Sequence, residues 1–425
     1  MAATAVAETT KAPHNFSFVA VRWTGPLPMA RLRASRDGVE WTEWRQLNGD
    51  AHTGASQLIS FEPESQYLQM ESDVELHIEF IDPGAPPLRK RAPQRFAAGD
   101  RPAMVSRLEW GSPDGNNQRA QPSYSNVTHL IVHHTADGPV ADAAAWVRAI
   151  WRFHVMTNGW ADIGYNFLIA PDGTVFEGRA GGDNVIGAHF SCQNSGTMGV
   201  ALLGDFTKAA PPAVALDALA RVLAWRASAW KLDPQGIARH AGMRQDMYVI
   251  SSHRDGNYSP QSCTVTACPG DTLYPLLEKV RNDVTALMTG RPHWTATPGS
   301  LWRAEEEGVW RYGSERTETY ETGGRNEGSI EGSPFDCETA FTLEYESWYQ
   351  TGDTGLERDR KTLEMSVDFG EWRVIDQVSG EMETWLKRTV EMEVQGRIRL
   401  RFHFDSVDEF RNAYAGWRLR NVIRM

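Results

Sequence analysis

The chain has 425 residues, 41% of them hydrophobic, with 16 tryptophans and a formal net charge of −12. This length exceeds one ordinary hydrophobic core and predicts two or three domains. The negative charge argues against nucleic acid as a partner, because nucleic-acid binding depends on clustered Lys and Arg, and the absence of an apolar run of about 18 residues excludes a transmembrane helix.

The N-terminal region, residues 1–88, shows the period-two alternation of β-strands. Apolar runs and alternating patterns predict strands within residues 16–23, 31–35 and 74–80. No helical period competes, so we predict a small β-sandwich. Trp41 and Trp44 follow the turn Asp37-Gly38 and fit either a carbohydrate-stacking pair or packing at the core or the sheet edge.

A proline-rich segment separates this region from the next. Residues 83–102 hold five prolines around the basic triplet Arg89-Lys90-Arg91. Such a composition buries little surface and predicts a linker.

The central region, residues 103–289, mixes strand and helix patterns, which predicts an α/β fold. The patterns predict strands at 130–132, 167–169, 175–176 and 198–203, and helices at 141–155, 214–230 and 273–288. Glycines and prolines predict a second linker over 289–300. Residues 300–425 return to period-two alternation and predict a jelly-roll-like β-sandwich.

Three separated segments of the central region carry side chains that bind metals. His133 and His134 follow a buried strand pattern, His253 precedes Arg254-Asp255, and Cys268 precedes Pro269-Gly270. Zinc suits a mixed imidazole and thiolate set, and three protein ligands leave one position open for water. Adjacent strand residues point to opposite faces, so only one of His133 and His134 can face the site, and alternation does not say which.

The central region resembles the peptidoglycan-recognition-protein family, which includes the phage-lysozyme type of zinc N-acetylmuramoyl-L-alanine amidase. The matching motifs occur in the family's order, at residues 106–111, 130–136, 162–169, 172–179, 187–189, 199–204, 252–255 and 267–273. The resemblance covers under half of the chain. It implies a central mixed β-sheet flanked by helices, and hydrolysis of the amide between the lactyl group of muramic acid and L-alanine of the stem peptide.

The resemblance also implies roles for single residues. His133, His253 and Cys268 are expected to hold one Zn²⁺. Tyr165 is expected to donate a hydrogen bond to the bound water or the developing oxyanion. Thr266 is expected to position the carbonyl, and it matches the threonine of animal members where phage enzymes have lysine. Members that only bind peptidoglycan have replaced the cysteine ligand, so Cys268 favours catalysis.

The four cysteines are assigned with two alternatives open. The loop from His253 to Cys268 is longer than in most relatives, and a shorter loop would put Cys263 nearer the usual ligand spacing. We choose Cys268 because Pro269-Gly270 follows it, as in the family. Cys192 and Cys263 are then the pair that we expect to form a disulfide, unless both, with Cys337, are ordinary small buried side chains.

Contacts with the substrate are predicted from the same resemblance. The dipeptide Gly159-Trp160 resembles the version associated with meso-diaminopimelate rather than lysine in the stem peptide, although packing of Trp160 under the cleft fits the sequence equally well. Two histidines match cleft-lining positions, and two further residues are weaker candidates. The complete set is His134, His154, Gly159, Trp160, His189 and Asn194.

Three functions fit these observations. The first is a zinc amidase of the bacterial cell wall with two accessory sandwiches, and the second is a protein that binds peptidoglycan or muropeptides with little turnover. The third is a zinc-stabilised structural module with a fourth ligand such as His134. A wall substrate predicts a secreted or envelope protein. The first residues lack the charged start and long apolar core of a signal peptide, so the chain is either cytoplasmic or a mature form whose leader is replaced by Met1, and we favour the second.

Overall fold

The computed structural model describes residues 7–47, 49–50, 55–56, 58–84, 101–138, 141–190, 192–306, 308–352, 358–409 and 412–425. The chain divides into two compact units, Met1–Leu277 and Glu278–Met425. Most of the first predicted linker, residues 83–102, lies outside the described residues. Within the described part of the chain, no helix is long and apolar enough to cross a bilayer.

The N-terminal region is all-β, as its alternation predicts. Its strands are β1 Glu8–Arg22, β2 Ala30–Ser35, β3 Arg45–Gln46, β4 Gly49–Asp50, β5 Ala55–Ser56, β6 Ile59–Ser72 and β7 His77–Ile81. They form one seven-stranded sheet in the order β3-β2-β6-β1-β5-β4, with β7 on the other edge of β1. The all-β prediction is confirmed, but the strands that were expected in two sheets are connected in one, because β1 pairs with β5, β6 and β7.

Trp41 and Trp44 pack under arginine side chains of strand β2. The guanidinium of Arg31 lies 4.5 Å from the ring centroid of Trp44, and that of Arg33 lies 4.6 Å from the same ring. Arg33 also lies 5.3 Å from the ring of Trp41. Of the two alternatives for these tryptophans, the structure therefore favours packing at the sheet over a bare stacking platform.

The central region forms a six-stranded mixed sheet flanked by helices, as the resemblance implies. The strands of this region are β8 Met104–Val105, β9 His129–His134, β10 Phe167–Ile169, β11 Val175–Glu177, β12 Thr197–Leu202, β13 Ile237–His240, β14 Gln245–Tyr248 and β15 Ile250–Ser252. The order in the sheet is β15-β9-β12-β10-β11-β8, and every neighbouring pair is parallel except β10 with β11. Strands β13 and β14 form a separate hairpin.

Three of the four α-helices within the described residues lie where the apolar periodicity predicts them, with shorter bounds at two places, and the short helix over residues 107–110 was not predicted. They are α1 Arg107–Trp110, α2 Ala143–Arg152, α3 Ala213–Trp230 and α4 Leu277–Thr289. Helix α2 continues into a π-helical turn, Phe153–Thr157, and a 3-10 turn, Tyr274–Leu276, precedes α4. A further 3-10 turn, His253–Tyr258, follows β15.

Helix α2 lies between the central sheet and the N-terminal sheet. It begins at Asp142, whose carboxylate accepts the backbone N–H groups of Ala144 and Ala145 at 3.0 and 3.1 Å. Its buried apolar residues share one core with residues of the two sheets. That core includes Phe18, Ala20, Leu58 and Ile81 of the N-terminal sheet, Trp146, Val147, Ile150 and Trp151 of the helix, and Leu168 and Leu203 of the central region.

The second unit contains two antiparallel sheets that enclose a buried core, as predicted for the C-terminal region. The sheet orders are β16-β19-β25-β22-β23, with β20 beside β25, and β17-β18-β26-β21-β24. The strands are β16 Trp294–Ala296, β17 Trp302–Glu306, β18 Val309–Tyr312, β19 Glu327–Gly332, β20 Phe335–Cys337, β21 Ala340–Gln350, β22 Arg360–Val367, β23 Arg373–Val378, β24 Met382–Glu393, β25 Gly396–Asp405 and β26 Gly416–Arg424.

Strand β16 corrects the predicted second linker. Residues 289–300 contain Trp294–Ala296, which pairs with β19, and Trp294 packs against the C-terminal core. The glycines and prolines around this strand dominated the composition of the segment. The composition therefore did not predict this short strand, whose pairing partner lies more than 30 residues later in the sequence.

Candidate metal centre and its cleft

The three predicted metal ligands converge at one edge of the central sheet. His133 lies near the end of β9, and His253 directly follows β15, which pairs in parallel with β9. The backbone N–H of Arg254 donates to the carbonyl of Cys268 at 2.9 Å and holds the third segment beside the second. The carboxyl ends of adjacent parallel strands meet at the same edge, which is where such sheets bind ligands.

The ligand atoms of His133, His253 and Cys268 all lie within 4.8 Å of one another. The Sγ atom of Cys268 is 3.7 Å from Nδ1 of His133. Zinc bonds of about 2.0–2.3 Å hold the ligand atoms of one tetrahedral ion less than about 4 Å apart. The group therefore has nearly the size of a single zinc site.

Two further observations fit a metal ion at this group. The buried Nε2 atom of His253 has no hydrogen-bond partner among the described residues, a costly state for a buried polar atom. Two imidazoles and one thiolate are also the donor set that zinc prefers. His134 does not belong to the group, because its Nδ1 accepts the backbone N–H of Phe206 at 3.2 Å. The group thus has three ligands among the described residues, rather than the four of a closed structural site.

His189 orients the first ligand and does not line the cleft as expected. Its Nδ1 is hydrogen-bonded to Nε2 of His133 at 3.0 Å, which leaves Nδ1 of His133 on the side of Cys268. The other ring nitrogen of His189 lies 3.3 Å from the hydroxyl of Thr197. Asn194, also predicted to contact substrate, instead accepts the backbone N–H groups of His189 and Phe190 at 2.7 and 2.8 Å. Such outer partners set the tautomer and orientation of a metal ligand.

Burial sets the protonation of the ligands. Desolvation, and then the neighbouring histidines, hold the pKa of His133 well below its usual value, and desolvation lowers the pKa of His253 to about 4. Both rings are therefore in the neutral form that binds metals. Burial raises the pKa of the Cys268 thiol to about 12, so the thiol is protonated in the absence of a cation. It must release this proton when it binds one.

A cavity of about 180 Å³ lies beside the ligand group. It is lined by Leu58, His134, Thr135, Ala136, Asp137, Ile150, Phe153, His154, Tyr165, His253, Thr266 and Cys268. The ring centroid of Tyr165 is 5.2 Å from that of His133, and burial raises the pKa of the Tyr165 hydroxyl, which stays protonated and able to donate. Thr266 accepts the backbone N–H of Cys268 at 3.1 Å, which brings its hydroxyl next to the ligand.

The remaining predicted substrate residues lie at the side of this cavity. His154 is buried, and its Nδ1 accepts the backbone N–H of Gly164 at 3.1 Å. The ring of Trp160 stacks on His154 with 4.6 Å between centroids, and Trp160 is 37% exposed. Trp160 therefore does not pack beneath the cleft. Gly159 adopts a positive φ of 70° with open space around its Cα.

Asp137 is a residue of the cleft that the sequence interpretation missed. Its carboxylate accepts the hydroxyl of Thr135 at 2.6 Å and the indole N–H of Trp146 at 2.7 Å. Burial raises its pKa to about 7. The available signal was its position, since Asp137 follows closely after the buried strand that carries His133, at the edge where polar side chains gather.

The disulfide prediction is confirmed. Cys192 and Cys263 form a disulfide, whereas Cys268 and Cys337 are free and buried. The bond removes Cys263 from the possible metal ligands, so the choice of Cys268 agrees with the structure.

Comparison with known proteins identifies the family. The profile of N-acetylmuramoyl-L-alanine amidase, Amidase_2, matches residues 123–271, a segment that holds the three ligands together with Tyr165 and Thr266. Peptidoglycan recognition protein 1 of Bos indicus is 34% identical over 188 residues, which cover 43% of this chain and 86% of that protein. The chain belongs to the peptidoglycan-recognition-protein and N-acetylmuramoyl-L-alanine amidase family.

Two further relatives show how far the similarity extends. The N-acetylmuramoyl-L-alanine amidase of Homo sapiens is 34% identical over 203 residues, which cover 46% of this chain and 29% of the human protein. Peptidoglycan-recognition protein SC2 of Drosophila simulans is 41% identical over 106 residues, which cover 24% of this chain and 55% of that protein. The chain thus spans less than a third of the length of the human relative.

Proposed function

We propose that the protein is a zinc-dependent N-acetylmuramoyl-L-alanine amidase that hydrolyses the amide between the lactyl group and L-alanine of peptidoglycan. The observation that carries this proposal is the grouping of His133, His253 and Cys268 beside a cavity that Tyr165 also lines. Relatives named N-acetylmuramoyl-L-alanine amidase support the same reaction.

Each of these residues has a separate role in the proposed reaction. A bound Zn²⁺ supplies a Lewis acid and lowers the pKa of water to about 7. Tyr165, held protonated by burial, donates a hydrogen bond where negative charge develops on the carbonyl oxygen. The hydroxyl of Thr266 positions the scissile carbonyl, and His189 fixes the ring of His133. The low exposure of these side chains strengthens each of these interactions.

A second candidate is a protein that binds peptidoglycan with little turnover. Relatives named peptidoglycan recognition proteins support it. Both candidates place peptidoglycan or muropeptides in the same cleft, so the difference lies in zinc content and turnover. The presence of Cys268 beside both histidines favours the enzyme.

One experiment separates the two candidates. The purified protein is assayed for zinc and incubated with peptidoglycan sacculi, and the released peptides are identified by mass spectrometry. We expect about one zinc per chain and stem peptides with a free L-alanine amino group. Cys268→Ser is expected to lose both, whereas Cys337→Ser, a free buried thiol of the C-terminal unit, is expected to keep both. Full zinc loading with intact peptidoglycan would refute the amidase.

Location outside the cytoplasm is part of the proposal. The disulfide between Cys192 and Cys263 is of the kind that persists in oxidising compartments, where wall peptidoglycan is found. We also propose meso-diaminopimelate as the third residue of the preferred stem peptide, on the pattern Gly159-Trp160. Comparing hydrolysis of diaminopimelate-type and lysine-type muropeptides tests this preference.

A further inference from the structure

One wall of the metal-site cavity comes from outside the family domain. Leu58 of the N-terminal region lines the same cavity as Tyr165 and Cys268. The family profile begins only at residue 123, so this contribution is not part of the matched segment.

The position of Leu58 is determined by the N-terminal sheet. Leu58 lies between strands β5 and β6, and both pair with β1 through Arg22 with Ala55 and Val19 with Ile59. The buried hydroxyl of Ser56 accepts the backbone N–H of Val21 at 2.8 Å. Leu58 is 4% exposed and belongs to the core that also contains helix α2.

Polar contacts hold the N-terminal sheet against the central region. The hydroxyl of Thr157 donates to Glu79 at 2.5 Å, and the guanidinium of Arg148 donates to the carbonyl of Pro83 at 2.7 Å. The backbone N–H of Ala141 donates to Glu62 at 2.8 Å. Together with the shared core, these contacts fix Leu58 relative to the metal ligands.

The same sheet supports the loop that follows the ligand strand. A Cβ atom at Gly138 would lie 2.9 Å from the hydroxyl of Ser60 and 3.0 Å from Nη1 of Arg45. Gly138 thus lies close to side chains of the N-terminal sheet. The adjoining residue is Asp137, which lines the cavity, so the sheet reaches the cleft both through Leu58 and through this loop.

We infer that the N-terminal sheet is a structural part of the substrate site and that Leu58 determines specificity there. This inference rests on the proposed function. Leu58, Ile150 and Phe153, with Ala136, make the apolar lining of a cavity whose other lining residues include two of the metal ligands and polar side chains. An alkyl group of the substrate, carried next to the scissile amide, is the chemistry that this lining accommodates.

The test compares Leu58→Ala and Leu58→Trp with Leu68→Ala. Leu68 is 1% exposed in the core of the same sheet and is not a lining residue of the cavity, so its truncation controls for lost stability. Zinc content and melting temperature are measured for each variant. The substrate is a soluble N-acetylmuramoyl peptide that bears the lactyl–L-alanine amide. KM and kcat come from hydrolysis by the zinc-loaded protein, and Kd comes from calorimetry with the zinc-free protein, which does not turn the peptide over.

We expect Leu58→Ala to raise KM and Kd about tenfold with unchanged zinc content, because a site that loses apolar contact binds an alkyl group less tightly. Leu58→Trp is expected to lower kcat/KM at least as much by filling the cavity. Leu68→Ala should lower the melting temperature and leave KM unchanged. Equal KM and Kd for Leu58→Ala and Leu68→Ala would overturn the inference.

Calorimetry keeps this inference separate from the proposed reaction. If the wild-type protein binds the peptide but does not hydrolyse it, the amidase proposal fails, and the Kd values still decide the role of Leu58. If the zinc-loaded wild-type protein neither binds nor hydrolyses the peptide, the cavity is not the substrate site, and both proposals are overturned.

Discussion

Replacing Asp137 by asparagine is expected to change how stability depends on pH. In the folded protein, burial raises the pKa of this carboxyl from the ordinary value of 3.8 to about 7. An unfolded chain releases the proton near pH 4, so between about pH 4 and 7 only the folded state retains it. The unfolded state then binds fewer protons, and the contribution of Asp137 to the free energy of unfolding falls as pH rises through this window.

The size of the effect follows from the two pKa values. Each pKa unit corresponds to about 1.4 kcal/mol, so the full loss above pH 7 is about 4 kcal/mol. The asparagine side chain has no proton to lose. Its amide oxygen can accept the N–H of Trp146, and its NH₂ group can donate to the hydroxyl of Thr135, so it mimics the neutral acid. We therefore expect Asp137→Asn to exceed the wild type by about 1.6 kcal/mol at pH 5, because about 1.2 of the 3.2 pKa units lie below that pH, and by about 4 kcal/mol at pH 8.

The assay is denaturant unfolding of zinc-free wild type and Asp137→Asn at several pH values from 5 to 8, followed by tryptophan fluorescence. Buried histidines also titrate, but they contribute to both proteins, so the difference between the two isolates Asp137. Asp73→Asn, which removes a carboxylate from an exposed bend, is the matched control. A difference that stays constant from pH 5 to 8 would show that the folded carboxyl is ionised throughout.

Two further predictions concern the metal centre. Tyr165→Phe should keep its zinc and lower kcat by about 10²–10³-fold, because it removes one donor to the developing oxyanion; steady-state kinetics with zinc quantification tests this, and an unchanged kcat contradicts the role. His189→Ala should weaken zinc binding by about 10–100-fold through the freed ring of His133, as measured by chelator competition, and excess zinc should restore activity. Unaltered zinc affinity would mean that His189 does not orient His133.

Much of the central domain could be predicted from the sequence because its information is local or carried by ordered motifs. Apolar periodicity located strands β9 and β10 and helix α3, and the family motifs supplied His133, His253, Cys268 and Tyr165 as one set. The disulfide followed from assigning Cys268 to the metal, which left Cys192 and Cys263 in the same domain. Each of these predictions depends on residue type, order and short-range period.

Only the tertiary structure showed which side chains line the cavity and which hold those side chains in position. Alternation places His133 and His134 on opposite faces of the sheet, but it does not show which face carries the metal ligands. His189 was expected to line the cleft, but it is hydrogen-bonded to His133 and orients that ring. The sequence alone does not distinguish a cleft-lining histidine from one that orients a ligand. Leu58 reaches the cavity through the packing of helix α2 against the N-terminal sheet, and Asp137 lines it while bonded to Trp146 of that helix. Such contacts join segments that are distant in sequence, so no local pattern records them.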